Sequence, residues 1–110
     1  MATPLPGKKV RGSATGRPIM AALDLMGRRW LLRIVWELRG EALTFRALAE
    51  RCGGVSPTVL NTRLAELRDA GLVDSGDGYA LTARGRALID ALMPLDDWAE
   101  KWAASKVGRK

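Results

Sequence analysis

A mainly α chain (α+β) with one short two-stranded sheet is predicted by three observations. Apolar residues recur at helical spacing through most of residues 18–102. Between residues 45 and 70 a short helix, a glycine turn and a second helix follow one another. Two short β-type runs then flank Gly76-Asp77-Gly78, which is a hairpin signal. With 110 residues the chain has room for one domain and one modest core.

Residues 1–17 are rich in Gly, Pro, Ser, Thr and Lys and show no apolar period, so they are expected to form a mobile basic arm. Extended, such an arm reaches roughly 50 Å. The domain proper is placed at residues 18–105 and a basic tail at 106–110. Pro18 suits the first position of a helix, and Ile19, Ala22, Leu23 and Met26 give that helix an apolar stripe up to Gly27. A second helix is expected from Arg29 to Arg39. It has so little polar face that it must be covered on most sides, which hints at a second subunit. Thr44 caps a short helix from Phe45 to Cys52, and Gly53-Gly54 ends it. Ser56-Pro57 is a strong helix start, and Leu60, Leu64 and Leu67 form the inner stripe of a helix stopped by Gly71. Leu72–Ser75 and Tyr79–Thr82 are the expected strands. Thr82 caps a helix that runs to Met93, where Pro94 breaks or kinks the chain, and Leu95, Trp98, Ala99 and Trp102 line a last helix. This order is that of a winged helix-turn-helix with a short wing and flanking helices.

Lys and Arg number 18 against 12 Asp and Glu, for a net charge of +6. Lys8, Lys9, Arg11 and Arg17 at one end, and Lys106, Arg109 and Lys110 at the other, have no acid among them, so residues 18–105 stand at −1. Basic arms suit phosphate contact, and the plainer alternative is a pair of solubilising tails.

The helix opened by Ser56 and Pro57 carries the functional signal. At about 100° per residue, Thr58, Thr62 and Ala65 lie opposite the leucines, with Asn61 on the flank. A small polar face lets a helix approach bases closely. Asn pairs bidentately with adenine, and Thr bonds a base edge or touches a thymine methyl. The alternative is an ordinary amphipathic helix with a solvated face. Arg63 on this helix and Arg46 on the preceding one are candidate phosphate contacts, together with Lys8, Lys9 and Arg11.

Four segments together resemble the HxlR family of bacterial transcriptional regulators. They are the Gly27-x-x-Trp30 step, the Ser56-Pro57 start, the Arg63-Leu64-x-x-Leu67-x-x-x-Gly71-Leu72-Val73 run and the Leu81-Thr82-x-x-Gly85 step. The resemblance covers roughly residues 18 to 103. It implies a homodimer built from the first and last helices, with both recognition helices presented to a two-fold site on double-stranded DNA. Ile19, Leu23, Met26, Trp98 and Trp102 are the expected dimer residues. Two departures stand out. Arg17 occupies about the place where many members carry a cysteine, so thiol sensing does not carry over to it. The wing tip, Gly76-Asp77-Gly78, has no cation.

The remaining residues argue mostly by exclusion. The chain has no His and one Cys, so no usual zinc site is expected, and neither is any cofactor. The cysteine has no base partner for catalysis, and no Gly-rich phosphate loop follows a strand, so an enzyme is not expected. Cys52 is read as a small structural residue. The four Trp, at 30, 36, 98 and 102, suit core and interface, and the sharper alternative is an aromatic pocket for a small apolar effector. No segment reads as a signal peptide or a membrane span, so a cytoplasmic protein is expected. A DNA-binding regulator is the favoured class. A winged helix used for protein or RNA contact is the alternative, and its sign would be an apolar patch on the Thr58/Thr62 face.

Overall fold

In the computed structural model, which describes residues 3–7 and 17–105, helix α1 (Pro18–Met26) starts at the predicted proline and ends on Gly27. Helix α2 (Leu31–Glu37) is shorter than the Arg29–Arg39 expected. The reason lies at its start. Trp30 has φ +73, left-handed backbone that a helix interior excludes, and Arg28 and Arg29 form the turn before it. Leu31, Ile34, Val35 and Leu38 are all fully buried, making α2 the central post of the core.

Helix α3 (Phe45–Cys52) is capped by Thr44, whose Oγ1 accepts the Ala47 N–H at 3.1 Å. Helix α4 (Pro57–Asp69) is capped the same way by Ser56, which accepts the Val59 N–H at 3.1 Å. Between the two helices the chain reverses at Gly53, φ +77, a conformation that favours glycine. Strands β1 (Val73–Ser75) and β2 (Tyr79–Leu81) pair antiparallel with Val73 opposite Leu81 and Ser75 opposite Tyr79. Leu43 adds an antiparallel bridge to Tyr79, with bonds of 3.0 and 2.8 Å, so the outer edge of β2 is partly covered.

Helix α5 (Ala83–Ala104) corrects the expectation of two helices divided at Pro94: it runs through the proline. Proline removes one backbone donor, leaving the Asp90 carbonyl without its helical partner. Both residues are exposed, so water can take the place of that bond. At the start of α5, Thr82 Oγ1 accepts the Gly85 N–H and donates to the Gly71 carbonyl at 2.6 Å, tying the helix to the end of α4. Gly85 is required by this close approach. A Cβ there would lie 2.2 Å from the Leu72 carbonyl oxygen.

The N-terminal arm is also corrected in part. Residues 3–7 do not stand away from the domain: Pro4 is buried, and Thr3 Oγ1 donates to Asp69 at 3.1 Å. Pro4, Leu5 and Pro6 line a cleft of about 190 Å³ with residues of α1, Leu72 and Leu88. Three apolar residues in a proline-rich stretch have no helical or strand period, so a reading by periodicity passes over them. Lys8, Lys9 and Arg11 lie outside the described residues, as does the tail at 106–110.

Candidate nucleic-acid interface

Helix α4 has the two faces its sequence predicts. Leu60, Leu64 and Leu67 are buried, while Thr58, Asn61, Thr62 and Ala65 are exposed. Ser56 uses its hydroxyl as the cap, and Pro57, at the first helical position, gives up an N–H that has no intrahelical partner there. Thr62 Oγ1 donates back to the Thr58 carbonyl at 3.0 Å, which leaves its lone pairs and methyl to outside partners. Asn61 makes no side-chain hydrogen bond among the described residues, so its full carboxamide is available. The helix thus offers a small polar surface over its N-terminal half, which suits close approach to base edges.

The basic candidates divide. Arg46 on α3 is 92% exposed and reaches only a loose pair with Glu50 at 3.6 Å, so its guanidinium is available to an external phosphate. Arg63 does not join the exposed face. Its Nη1 donates to Glu66 and its Nε to the Arg29 carbonyl, both at 2.8 Å, and the side chain lies half-buried toward α1. The position of Arg63 on the helix lies between its two faces, and the buried carboxylate draws it inward. Arg68, missed from the sequence, is exposed on the Asn61 side of α4 and donates to Ser75 of β1 at 3.3 Å. Its contact with the wing crosses the Gly71 turn, and helical angle alone does not reveal it. Asp74, Ser75 and Asp77 are exposed in the wing, whose tip carries no cation.

The dimer candidates also divide. Ile19 and Leu23 on α1, with Leu95, Trp98 and Trp102 on α5, are each more than half exposed. The Trp98 and Trp102 rings stack at 5.5 Å. Met26 is half-buried and lines the cleft beside Pro4 and Leu5. Between α2 and α5 lies an open apolar groove of about 280 Å³, walled by Leu32, Trp36, Leu92, Leu95 and Ala99, with Arg33 and Asp96 among its lining residues. The outer side of α2 is therefore the part left uncovered by the domain.

The model of the HxlR-like helix-turn-helix family matches residues 25–107, which include the whole of the helix-turn-helix, the wing and α5. The chain belongs to the HxlR-like helix-turn-helix family. The HxlR-like chain is 30% identical to the uncharacterised HTH-type transcriptional regulator YvaP of Bacillus subtilis over 74% of its own length and 82% of that protein's. It is 35% identical to the HTH-type transcriptional regulator Rv3095 of Mycobacterium tuberculosis over 86% of its length, a match that spans 61% of the longer relative. Among solved structures it resembles quinone-bound YodB from B. subtilis, with a TM-score of 0.71, 28% identity and coverage of 76% and 96% of the two chains. A regulator of the MarR family from Enterococcus faecalis superposes equally well, with a TM-score of 0.71, 30% identity and coverage of 91% and 98%. A DNA-binding regulator of transcription with the winged helix-turn-helix fold is the class to which this HxlR-like chain is assigned.

The single cysteine of this HxlR-like protein is Cys52, at the end of α3 and 4% exposed. Burial pushes its thiol pKa above the usual value. Arg33 opposes that shift and Glu37 adds to it. Among the described residues no cluster of His, Cys, Asp and Glu could hold a metal ion, and no helix is long and apolar enough to cross a membrane.

Proposed function

We propose that this HxlR-like protein binds double-stranded DNA sequence-specifically as a homodimer, with the N-terminal half of α4 in the major groove. The observation that carries the reading is the exposed set Thr58, Asn61 and Thr62 on a helix whose opposite face is wholly buried. Asn61 reads a base edge, and the two threonines make the smaller contacts beside it. Ser56 and Pro57 set the start of the helix. Arg46 on α3, with Lys8, Lys9 and Arg11, supplies the phosphate contacts that the wing tip lacks. Ile19, Leu23, Trp98 and Trp102 form the subunit interface, which accounts for apolar side chains left half-exposed on two helices.

The groove between α2 and α5 supports a small apolar effector as a further ligand. Trp36 and three leucines supply an apolar wall, and quinone-bound YodB is a relative that carries a ligand of that kind. The DNA reading is tested by repeated selection of duplexes from a random pool with the full chain. Enriched duplexes should share a sequence with two-fold symmetry. A pool that stays random while the protein binds it would overturn base reading by α4. The polar α4 face also lacks the apolar patch that would be the sign of the protein- or RNA-contact alternative.

A further inference from the structure

Glu66 is the one buried charged residue among the described residues. Its two carboxylate oxygens are divided between two arginines: Oε2 accepts from Arg28 and Oε1 from Arg63. Both arginine side chains are themselves largely shielded, at 15% and 19% exposure. Arg63 also donates to the Arg29 carbonyl, so α4 is attached by side chains to two consecutive residues of the turn that follows α1. The same stretch also touches the turn of the helix-turn-helix. Trp30, at positive φ, lays its indole edge about 3.5 Å from the Cβ position of Gly54 in the α3–α4 turn. Residues 28–30 therefore grip the recognition helix and the turn before it, while the helix just upstream carries the exposed Ile19 and Leu23.

A buried charged set is a poor source of stability, because desolvation offsets most of the attraction. Apolar residues of similar size commonly replace one without loss of stability. Its distinctive property is direction: a carboxylate held at each oxygen by a different guanidinium is restrained from two sides at once, whereas apolar contact is non-directional. We infer that Arg28, Glu66 and Arg63 are positioning residues that fix the angle of α4 relative to α1, and so set the separation at which two recognition helices meet DNA. This rests on the dimeric, base-reading function proposed above. Because α1 contributes to the proposed subunit interface, a small rotation of α4 on α1 is repeated by symmetry in the second subunit. Half-sites must match the helix separation. A looser α4 therefore reads each half-site as before but tolerates wrong spacing.

The test compares the wild-type chain with Glu66→Met, Glu66→Gln, Arg28→Gln and Asn61→Ala. The probes are the duplex that the wild type selects from a random pool, the same duplex with one base pair added or removed between its halves, and a scrambled duplex. The wild type and Asn61→Ala report on the functional reading itself. If the wild type shows no spacing preference, or Asn61→Ala leaves the selected-to-scrambled ratio unchanged, that reading fails on its own evidence. For the three variants at Glu66 and Arg28, thermal unfolding should stay cooperative at a lowered midpoint, because each single replacement leaves a shielded partner charge uncompensated, and the selected-to-scrambled ratio should stay near wild type. Discrimination against altered spacing should fall about tenfold, within the range of energetic coupling between contacting residues. Glu66→Gln, which keeps one acceptor, should retain more of it than Glu66→Met. Folded variants with full wild-type spacing discrimination overturn the inference. So does failure of all three to fold, which would make the set a requirement for folding.

Discussion

Asn61 carries the sharpest single-residue consequence. It is exposed, has no side-chain bond to the rest of the described chain, and stands beside Thr58 and Thr62 on the outer face of α4. Replacing it with Ala should cost about 1–3 kcal/mol at a selected duplex and relax preference at one base position, because a bidentate base contact is lost and no internal bond is. Equilibrium binding should show the loss for the selected duplex and little change for a scrambled one. Cys52 gives a pH consequence. Its folded-state pKa is raised, so the folded protein holds the thiol proton more tightly than the unfolded chain does. Stability is then flat below the ordinary thiol pKa and falls as pH rises through it. Urea unfolding at pH 7 and at about pH 9.5 should show this fall in the wild type and a smaller one in Cys52→Ala. At this scale the caps Thr44, Ser56 and Thr82 were legible in the sequence, because each bonds within three residues of itself. Arg63 was only half legible. Its neighbour Glu66 is three positions away, but Arg28, which completes the set, is 38 residues from Glu66.

The helix-turn-helix and wing were legible as elements because their signals are local: a capping residue before a helix, a glycine after it, and a glycine pair around the hairpin. Two elements resisted. Helix α5 continues past Pro94 because a missing donor on an exposed side leaves water to satisfy Asp90, and no local rule distinguishes that from a break. The N-terminal segment 3–7 packs through Pro4 and Leu5 without any periodic pattern. Deleting residues 1–7 should therefore lower unfolding free energy by roughly 1–3 kcal/mol, the scale of one apolar side chain returned to water. Chemical denaturation of the full and shortened chains checks this. An unchanged midpoint would show that the segment adds nothing to the fold.

At the scale of the whole molecule, apolar surface is left over on α1 and α5 after a complete core has formed around α2. In the proposed dimer that surface is closed by a second copy, and the rings near its centre carry most of the energy. Trp102→Ala should weaken self-association by about 2 kcal/mol or more, seen as dissociation to monomer at micromolar concentration in sedimentation, with the monomer still folded. A wild-type chain that sediments as a monomer at that concentration would remove the basis for the prediction.

The stacked Trp98 and Trp102 rings have one practical consequence. Two indoles in parallel contact absorb and emit as a coupled pair, and these two are half in water. Trp30 and Trp36 are more sheltered, so the solvent-sensitive part of the intrinsic fluorescence comes chiefly from the α5 pair. If the pair becomes covered, its emission shifts to shorter wavelength. The protein therefore carries its own unlabelled optical gauge of whatever settles on that end of α5, and the separation of two copies on dilution can be followed by its colour alone.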